Sequence, residues 1–321
     1  MAEGRIGLFG KIPSQRDFVR VHIGTSEAQA LDAWLRASVM ALPGLRAHLP
    51  PEPLPFVFRA SSGAGLLGVL RGSVDGVGRE FPLAVFTPLD APAQANWSAL
   101  LFGYAGFVAA ATRLLDGVDA REPGELPGLL ARLPVPEPAT LADSVARGHA
   151  ALERLSADEL LDRLFSRPTG NLEGERWPGD HLHGLGTLVH ACERRVGGVA
   201  QGPTITLDCP VGSTLELWFW LELARRRLGW RSAPSLVWAP PQYRMLLALG
   251  SPGPSLLGVL GTPGTFDPAI WPLLADDEHT AARGRGLFDA AERAAIERPG
   301  QSAADLLDAL TPARGGVGRG R

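Results

Sequence analysis

Lysine is almost absent from this chain of 321 residues: Lys11 is the only one among 31 basic residues. With 39 glycines, 28 prolines and abundant alanine, that bias is the codon signature of a GC-rich bacterial genome and carries no functional information. Cysteine is scarce too. Cys192 and Cys209 are too few for a disulfide scaffold or an all-cysteine zinc site. Long apolar runs are missing. The longest, Trp97 to Ala111, has 15 residues and is interrupted by Ser98, Gly103 and Gly106. A membrane span needs about 20, so this run is read as a buried helix. Neither sign of charge dominates: 31 Lys and Arg against 34 Asp and Glu leave a net −3 and a pI near 6.2. That excludes a general nucleic-acid coat, which requires a positive excess. The opening Met-Ala-Glu-Gly-Arg-Ile lacks a basic region followed by an apolar one. No secretory signal is predicted, and a cytoplasmic protein is expected.

What is present is a large apolar fraction. Hydrophobic residues make up 45% and charged residues 20%, with mean hydropathy +0.05. A sizeable core is therefore expected and a wholly disordered chain is excluded. The length suits one large or two ordinary domains.

Local patterns predict a strand over Arg5–Phe9 and a polar loop over Gly10–Gly24. A helix capped by Thr25 or Ser26 is predicted to run to Leu42, its stripe at Ala30, Leu31, Trp34, Leu35 and Ser38. Pro50–Pro55 is too rich in proline for a regular element. Strands follow at Phe56–Arg59, Leu66–Val74 and Phe81–Thr87, the last two joined by an Asp-Gly hairpin at Asp75–Glu80. Trp97–Leu115 is predicted to pack as a helix on this sheet, with Trp97, Leu100, Leu101, Tyr104 and Val108 facing it. Helices broken by proline span Glu122–Phe165, the longest piece being Ala142–Phe165.

The fold class expected is α+β: a mainly antiparallel sheet flanked by helices, followed by a second α/β half. The predicted division is 1–165 for the N-terminal domain, 166–180 for a linker, 181–313 for the C-terminal half and 314–321 for a disordered Gly/Arg tail. In the second half, helices are predicted at His181–Val196, Thr214–Leu228 after the cap Ser213, His279–Glu297 and Ser302–Leu310. Strands are predicted at Thr204–Asp208, Ser235–Trp238, Arg244–Leu249 and Leu256–Leu260. They form a second sheet or extend the first.

Candidate chemistry is thin. Gly7-Leu8-Phe9-Gly10-Lys11 fails as a phosphate-binding loop. Arg5 holds the place of the first glycine, Ile12 that of the magnesium-binding hydroxyl, and Pro13 prevents the helix start. Gly76-Val77-Gly78 lacks the third glycine of a dinucleotide fingerprint, since Phe81 stands there. His181, His183, His190 and Cys192 are the best metal suggestion, but a spacing of two on a helix points ligands to different faces. Partly exposed helix histidines are the preferred reading. No Gly-x-Ser-x-Gly elbow is present. Cys209 beside Pro210 is read as a buried thiol, and Asp276-Asp277-Glu278 as a solvated loop. Trp218, Phe219 and Trp220 on one helix, with Trp230 after it, are read as core. Their alternative is a docking surface, with Arg225-Arg226-Arg227 at the helix C-terminus.

Two segments stand out together: Gly10-Lys11-Ile12-Pro13-Ser14-Gln15-Arg16-Asp17-Phe18-Val19, and Gly68-Val69-Leu70-Arg71-Gly72-Ser73-Val74-Asp75-Gly76-Val77-Gly78-Arg79-Glu80-Phe81-Pro82-Leu83. The pair resembles the TagF (ImpM) family of type VI secretion-associated proteins. Family members carry a Gly-Lys-Leu-Pro-x-x-Gly-Asp-Phe loop after the first strand, then a Trp-Leu helix, matched at Trp34-Leu35. An aromatic strand follows, matched at Phe56–Arg59, and then Ser-Val-Asp-x-Val-Gly-Arg-x-Phe-Pro-Leu. The similarity covers about residues 5–115. It departs at Arg16, where the family carries glycine. If that glycine has positive φ, arginine must strain or rebuild the loop. In the second half it is confined to Pro234-Ser235-Leu236-Val237-Trp238.

Read physically, these motifs are structural first. Gly10 and Pro13 shape the loop, and Asp75, Gly76 and Gly78 shape the hairpin. Lys11 and Asp17 are expected beside Asp75 and Arg79 in one ion-pair network. The resemblance implies a non-enzymatic protein without cofactors. It implies post-translational repression of type VI secretion through binding of a forkhead-associated-domain component of the apparatus. The rival readings are a structural component of the machine and an enzyme using the His181–Cys192 region or Cys209. The interaction candidates are Lys11, Pro13, Arg16, Asp17, Phe18, Ser73, Asp75, Gly78, Arg79 and Pro82, with exposed Arg16 and Arg79 the foremost.

Overall fold

The strands of both halves join one sheet. The computed structural model describes residues 6–135, 138–166, 180–196, 204–261, 267, 269–275 and 277–311. Its strands are β1 (Gly7–Gly10), β2 (Val19–Val21), β3 (Leu54–Arg59), β4 (Gly65–Arg71), β5 (Leu83–Leu89), β6 (Ile205–Pro210), β7 (Ser235–Ala239), β8 (Arg244–Leu249) and β9 (Ile270–Pro272). They lie in the order β2-β1-β5-β4-β3-β7-β8-β6-β9. Every pairing is antiparallel except β6 with β9. The second-half strands therefore extend the first sheet, through Phe56 opposite Val237 and Val57 opposite Leu236. The α+β class expected from the sequence is the observed one.

Helices cover both faces, so central strands are apolar on both sides and read as nearly continuous hydrophobic runs. On one face Phe9, Phe56, Leu66, Leu70, Phe86 and Leu246 meet Leu31, Trp34 and Leu35 of the helix Ser26–Ala41 and Leu257 and Leu260 of the helix Leu256–Gly261. On the other, Leu8, Val57, Leu67, Val85, Leu207 and Leu247 meet a larger helical layer. That layer includes Ala105–Gly117 and Thr214–Leu228. Trp218, Phe219 and Trp220 are buried in it, which settles the core reading over the docking surface. The helix is held by its ends. Ser213 Oγ accepts from the Glu216 N–H, and Gly229 closes it in the left-handed conformation. Glu222, buried on the same helix, accepts from Ser98, Arg225 and Arg226.

Several local expectations are corrected. The loop Gly10–Gly24 contains the short strand β2, which pairs with β1. β3 begins at Leu54, inside the proline-rich segment. Leu256–Leu260, expected as a strand, is helical, and β9 was not predicted. Trp97–Leu115 is not one helix. A 3-10 turn at Trp97–Ala99 and a short helix at Leu100–Gly103 precede Ala105–Gly117, and the two arms meet at 58°. Trp97, Leu100, Leu101 and Tyr104 are buried as expected, but past the bend the buried stripe is Phe107, Ala111 and Leu115, with Val108 only half-buried. Ala142–Phe165 is divided, because Ser156 caps a new helix at Ala157. His279–Glu297 is likewise split into Glu278–Arg285 and Ala290–Ile296. Among the described residues no single helix is long and apolar enough to cross a membrane. Most of the predicted linker, the Gly/Arg tail and Asp276 lie outside the described residues.

Candidate functional site

The two sequence motifs meet at one end of the sheet. β1 ends at Gly10, whose φ is +144°; a Cβ there would stand 2.3 Å from the carbonyl oxygen of Pro82. Only glycine lets β1 approach the start of β5 this closely. The next residue, Lys11, is consequently drawn inward and is 7% exposed. Its Nζ lies 3.0 Å from Oδ2 of Asp75, which is 2% exposed.

Asp75 organises the hairpin. Its Oδ1 accepts from the N–H groups of Val77 at 3.1 Å and Arg79 at 2.9 Å, an Asx-type turn. Its Oδ2 accepts from Arg79 Nε at 2.7 Å. Gly78 takes φ +85°, the left-handed conformation that lets the chain return. Burial by itself would raise the Asp75 carboxyl. The Arg79 N–H, the Lys11 ammonium, the Arg79 guanidinium and the Val77 N–H outweigh it and hold the group far below the ordinary carboxylate range.

The loop after β1 is stitched to this hairpin through its backbone. The Gly76 N–H donates to the Gln15 carbonyl at 2.7 Å, and the Arg79 guanidinium donates to the Arg16 carbonyl. The Pro13 carbonyl faces Gly76. Arg16 replaces the family glycine without strain, because positive φ at non-glycine residues occurs among the described residues only at His22 and Tyr243. Lys11 reaches Asp75 as expected. Asp17 does not join the network: it is exposed and its Oδ1 accepts from the Phe18 N–H at 2.7 Å. A short acidic side chain one residue before an N–H satisfies that donor locally before it can reach across to the hairpin.

Sequence reasoning missed the aromatic group beneath the loop. Phe18 stacks on Phe9 at 5.3 Å and meets Phe81 edge-on at 4.8 Å. The Arg36 guanidinium lies 4.6 Å from the Phe18 ring centre and is itself held by Asp32 at 2.6 Å. The signal was the spacing of two between Phe18, just before β2, and Arg20 within it, which puts both on one side of an extended chain; the Arg20 guanidinium lies 5.4 Å from the Phe18 ring centre. Ser73 is buried and its carbonyl accepts from the Phe81 N–H at 3.0 Å.

The suggested His/Cys group does not form a cluster able to hold a metal among the described residues. His183 is buried rather than partly exposed, with Nε2 3.2 Å from the Pro272 carbonyl oxygen. His190 is exposed and stacks on Trp271. Cys192 and Cys209 are both fully buried, and burial pushes both thiols up.

Residues 7–126 match the model of the TagF N-terminal domain, described as type VI secretion system-associated. Residues 7–126 form a TagF N-terminal domain. Both motifs, the hairpin and the Lys11–Asp75–Arg79 cluster lie inside it, whereas β6 to β9 lie beyond it. The protein is accordingly associated with type VI secretion. Among solved structures the chain is similar to PA0076 from Pseudomonas aeruginosa PAO1, with 20% identity over 82% of this chain and 96% of that one and a TM-score of 0.46. No curated protein matches the chain.

Proposed function

We propose that this protein is a cytoplasmic, non-enzymatic accessory of type VI secretion. It represses the system after translation by binding the forkhead-associated-domain protein of the apparatus. The observation that carries the reading is the TagF domain at residues 7–126, since the family that the two motifs resemble acts in this way. The stitched loop and hairpin support a binding role. They hold a defined surface at low conformational cost on binding. At its tip Val77 is 56% exposed and the Arg79 side chain 61% exposed, with Arg16 exposed beside them. Arginine and an aliphatic residue on a rigid turn suit a protein interface. The buried thiols favour the non-enzymatic reading, because a thiol pushed up by burial is a poor nucleophile.

The test is a pull-down from lysate of a secreting strain with wild type, Arg16→Ala and Arg79→Ala, with a melting curve for each. Recovery of the forkhead-associated protein by wild type, lost in a variant that melts normally, is the expected result. Recovery of no secretion component overturns the proposal. Co-sedimentation with assembled sheath instead assigns the protein to the machine itself.

A further inference from the structure

Beside the hairpin base lies a cleft of about 410 Å³, lined by Pro13, Pro50 and Pro51 and by polar side chains. Three buried polar atoms on residues lining it have no protein partner: Ser73 Oγ, Arg71 Nε and Glu80 Oε2. Ser73 as a residue is only 4% exposed. Arg46 also lines the cleft, with its side chain laid across Gly72, and its guanidinium has no partner among the described residues. Arg71 spends its terminal nitrogen on Asp119, which leaves Nε for a second acceptor. Buried donors without acceptors are costly, so residues like these mark places where a ligand supplies the missing oxygen.

We infer that this cleft receives an acidic side chain on an extended segment of the partner protein. The carboxylate meets the guanidinium of Arg46 and, as the side chains that close them off from solvent shift on binding, Nε of Arg71 and the hydroxyl of Ser73, three donors for one planar oxyanion. Glu80 Oε2 accepts a backbone N–H of the same segment. Glu80 and Asp119 also select against a dianion: a phosphate would bring a second negative charge toward two carboxylates already lining the cleft. The lining prolines are stiff and suit an extended chain at little entropic cost. That the occupant belongs to a protein rests on the function proposed above.

The probes are acetyl-Ala-Ala-Glu-Ala-Ala-amide and its glutamine, lysine and phosphothreonine analogues. They are titrated into nitrogen-15-labelled full-length protein while the arginine Nε–Hε signals are followed. The glutamate peptide is expected to move the Arg71 signal, and the glutamine analogue to bind about tenfold more weakly. Arg46→Glu, an exposed position, is expected to melt like wild type, to lose the glutamate peptide and to gain the lysine peptide. Ser73→Ala is expected to weaken binding without reversing the preference. Equal binding of glutamate and glutamine peptides, preference for the phosphothreonine peptide, or an unmoved Arg71 signal overturns the inference. The lysate pull-down with Arg46→Glu separates the two claims. Glutamate binding without recovery of any secretion component leaves the cleft standing and removes the regulatory reading. A partner held equally well by wild type and Arg46→Glu removes the cleft.

Discussion

Nζ of Lys11, the chain's only lysine, lies 3.0 Å from Oδ2 of Asp75, sixty-four positions along the chain. The contact joins the first motif to the second. It lies inside the fold, whereas the other cation on the same oxygen, Arg79, faces solvent. The same carboxylate therefore has one buried and one exposed counter-ion, and the two are expected to differ in weight.

Lys11→Met is expected to lower the melting temperature clearly more than Arg79→Ala. Removing the buried cation leaves Asp75 to neutralise or draw in water. Removing the exposed one costs little, since solvent already screens it. Melting curves of the two variants in one buffer check the order, and equal shifts would contradict the division of labour.

The Asp75 carboxyl is depressed in the folded state, so its contribution is complete above its unfolded value and lost as pH falls toward the folded one. Asp75→Asn is therefore expected to be less stable than wild type at neutral pH. The gap narrows only below about pH 4, where the unfolded carboxyl begins to protonate. Urea unfolding of both proteins across the acid range checks the sign.

Gly10→Ala is expected to destabilise by at least about 2 kcal/mol, because the added methyl meets the Pro82 carbonyl and the backbone is in a region alanine avoids. At Gly78 φ is also positive, but nothing lies within 4 Å of the added Cβ. Gly78→Ala should cost only about 1 kcal/mol. Denaturant midpoints at constant slope report both values.

Cys192 and Cys209 should resist an aromatic disulfide reagent in the native protein and react only as it unfolds. Both are fully buried and their thiols are pushed up. Rapid labelling of either without denaturant would show that this part of the core opens readily.

Where local chemistry decides, the sequence was enough. Thr25 before an apolar stripe starts the helix Ser26–Ala41, Ser213 and Gly229 bound Thr214–Leu228, and Asp75 with Gly78 turns the hairpin. Each signal acts over a few residues, and the two motifs that carry the family lie in such segments. The meeting of Lys11 with Asp75 was legible because opposite charges flank two ends of one predicted sheet. The partner of Asp17, the rings around Phe18 and the cleft at Ser73 were not, since each depends on how separate segments approach. Leu256–Gly261 shows the limit most directly. A six-residue apolar run suits a buried strand or a buried helix equally. It is helical here because it packs across the sheet face against Leu42 and the helix at Ser26–Ala41 rather than at an edge. β9 gains its conformation only from pairing with β6, and the two halves become one sheet only where Phe56 meets Val237. Propensity sets the elements whose stabilising contacts lie within a few residues. Non-local hydrogen bonds and packing decide the rest.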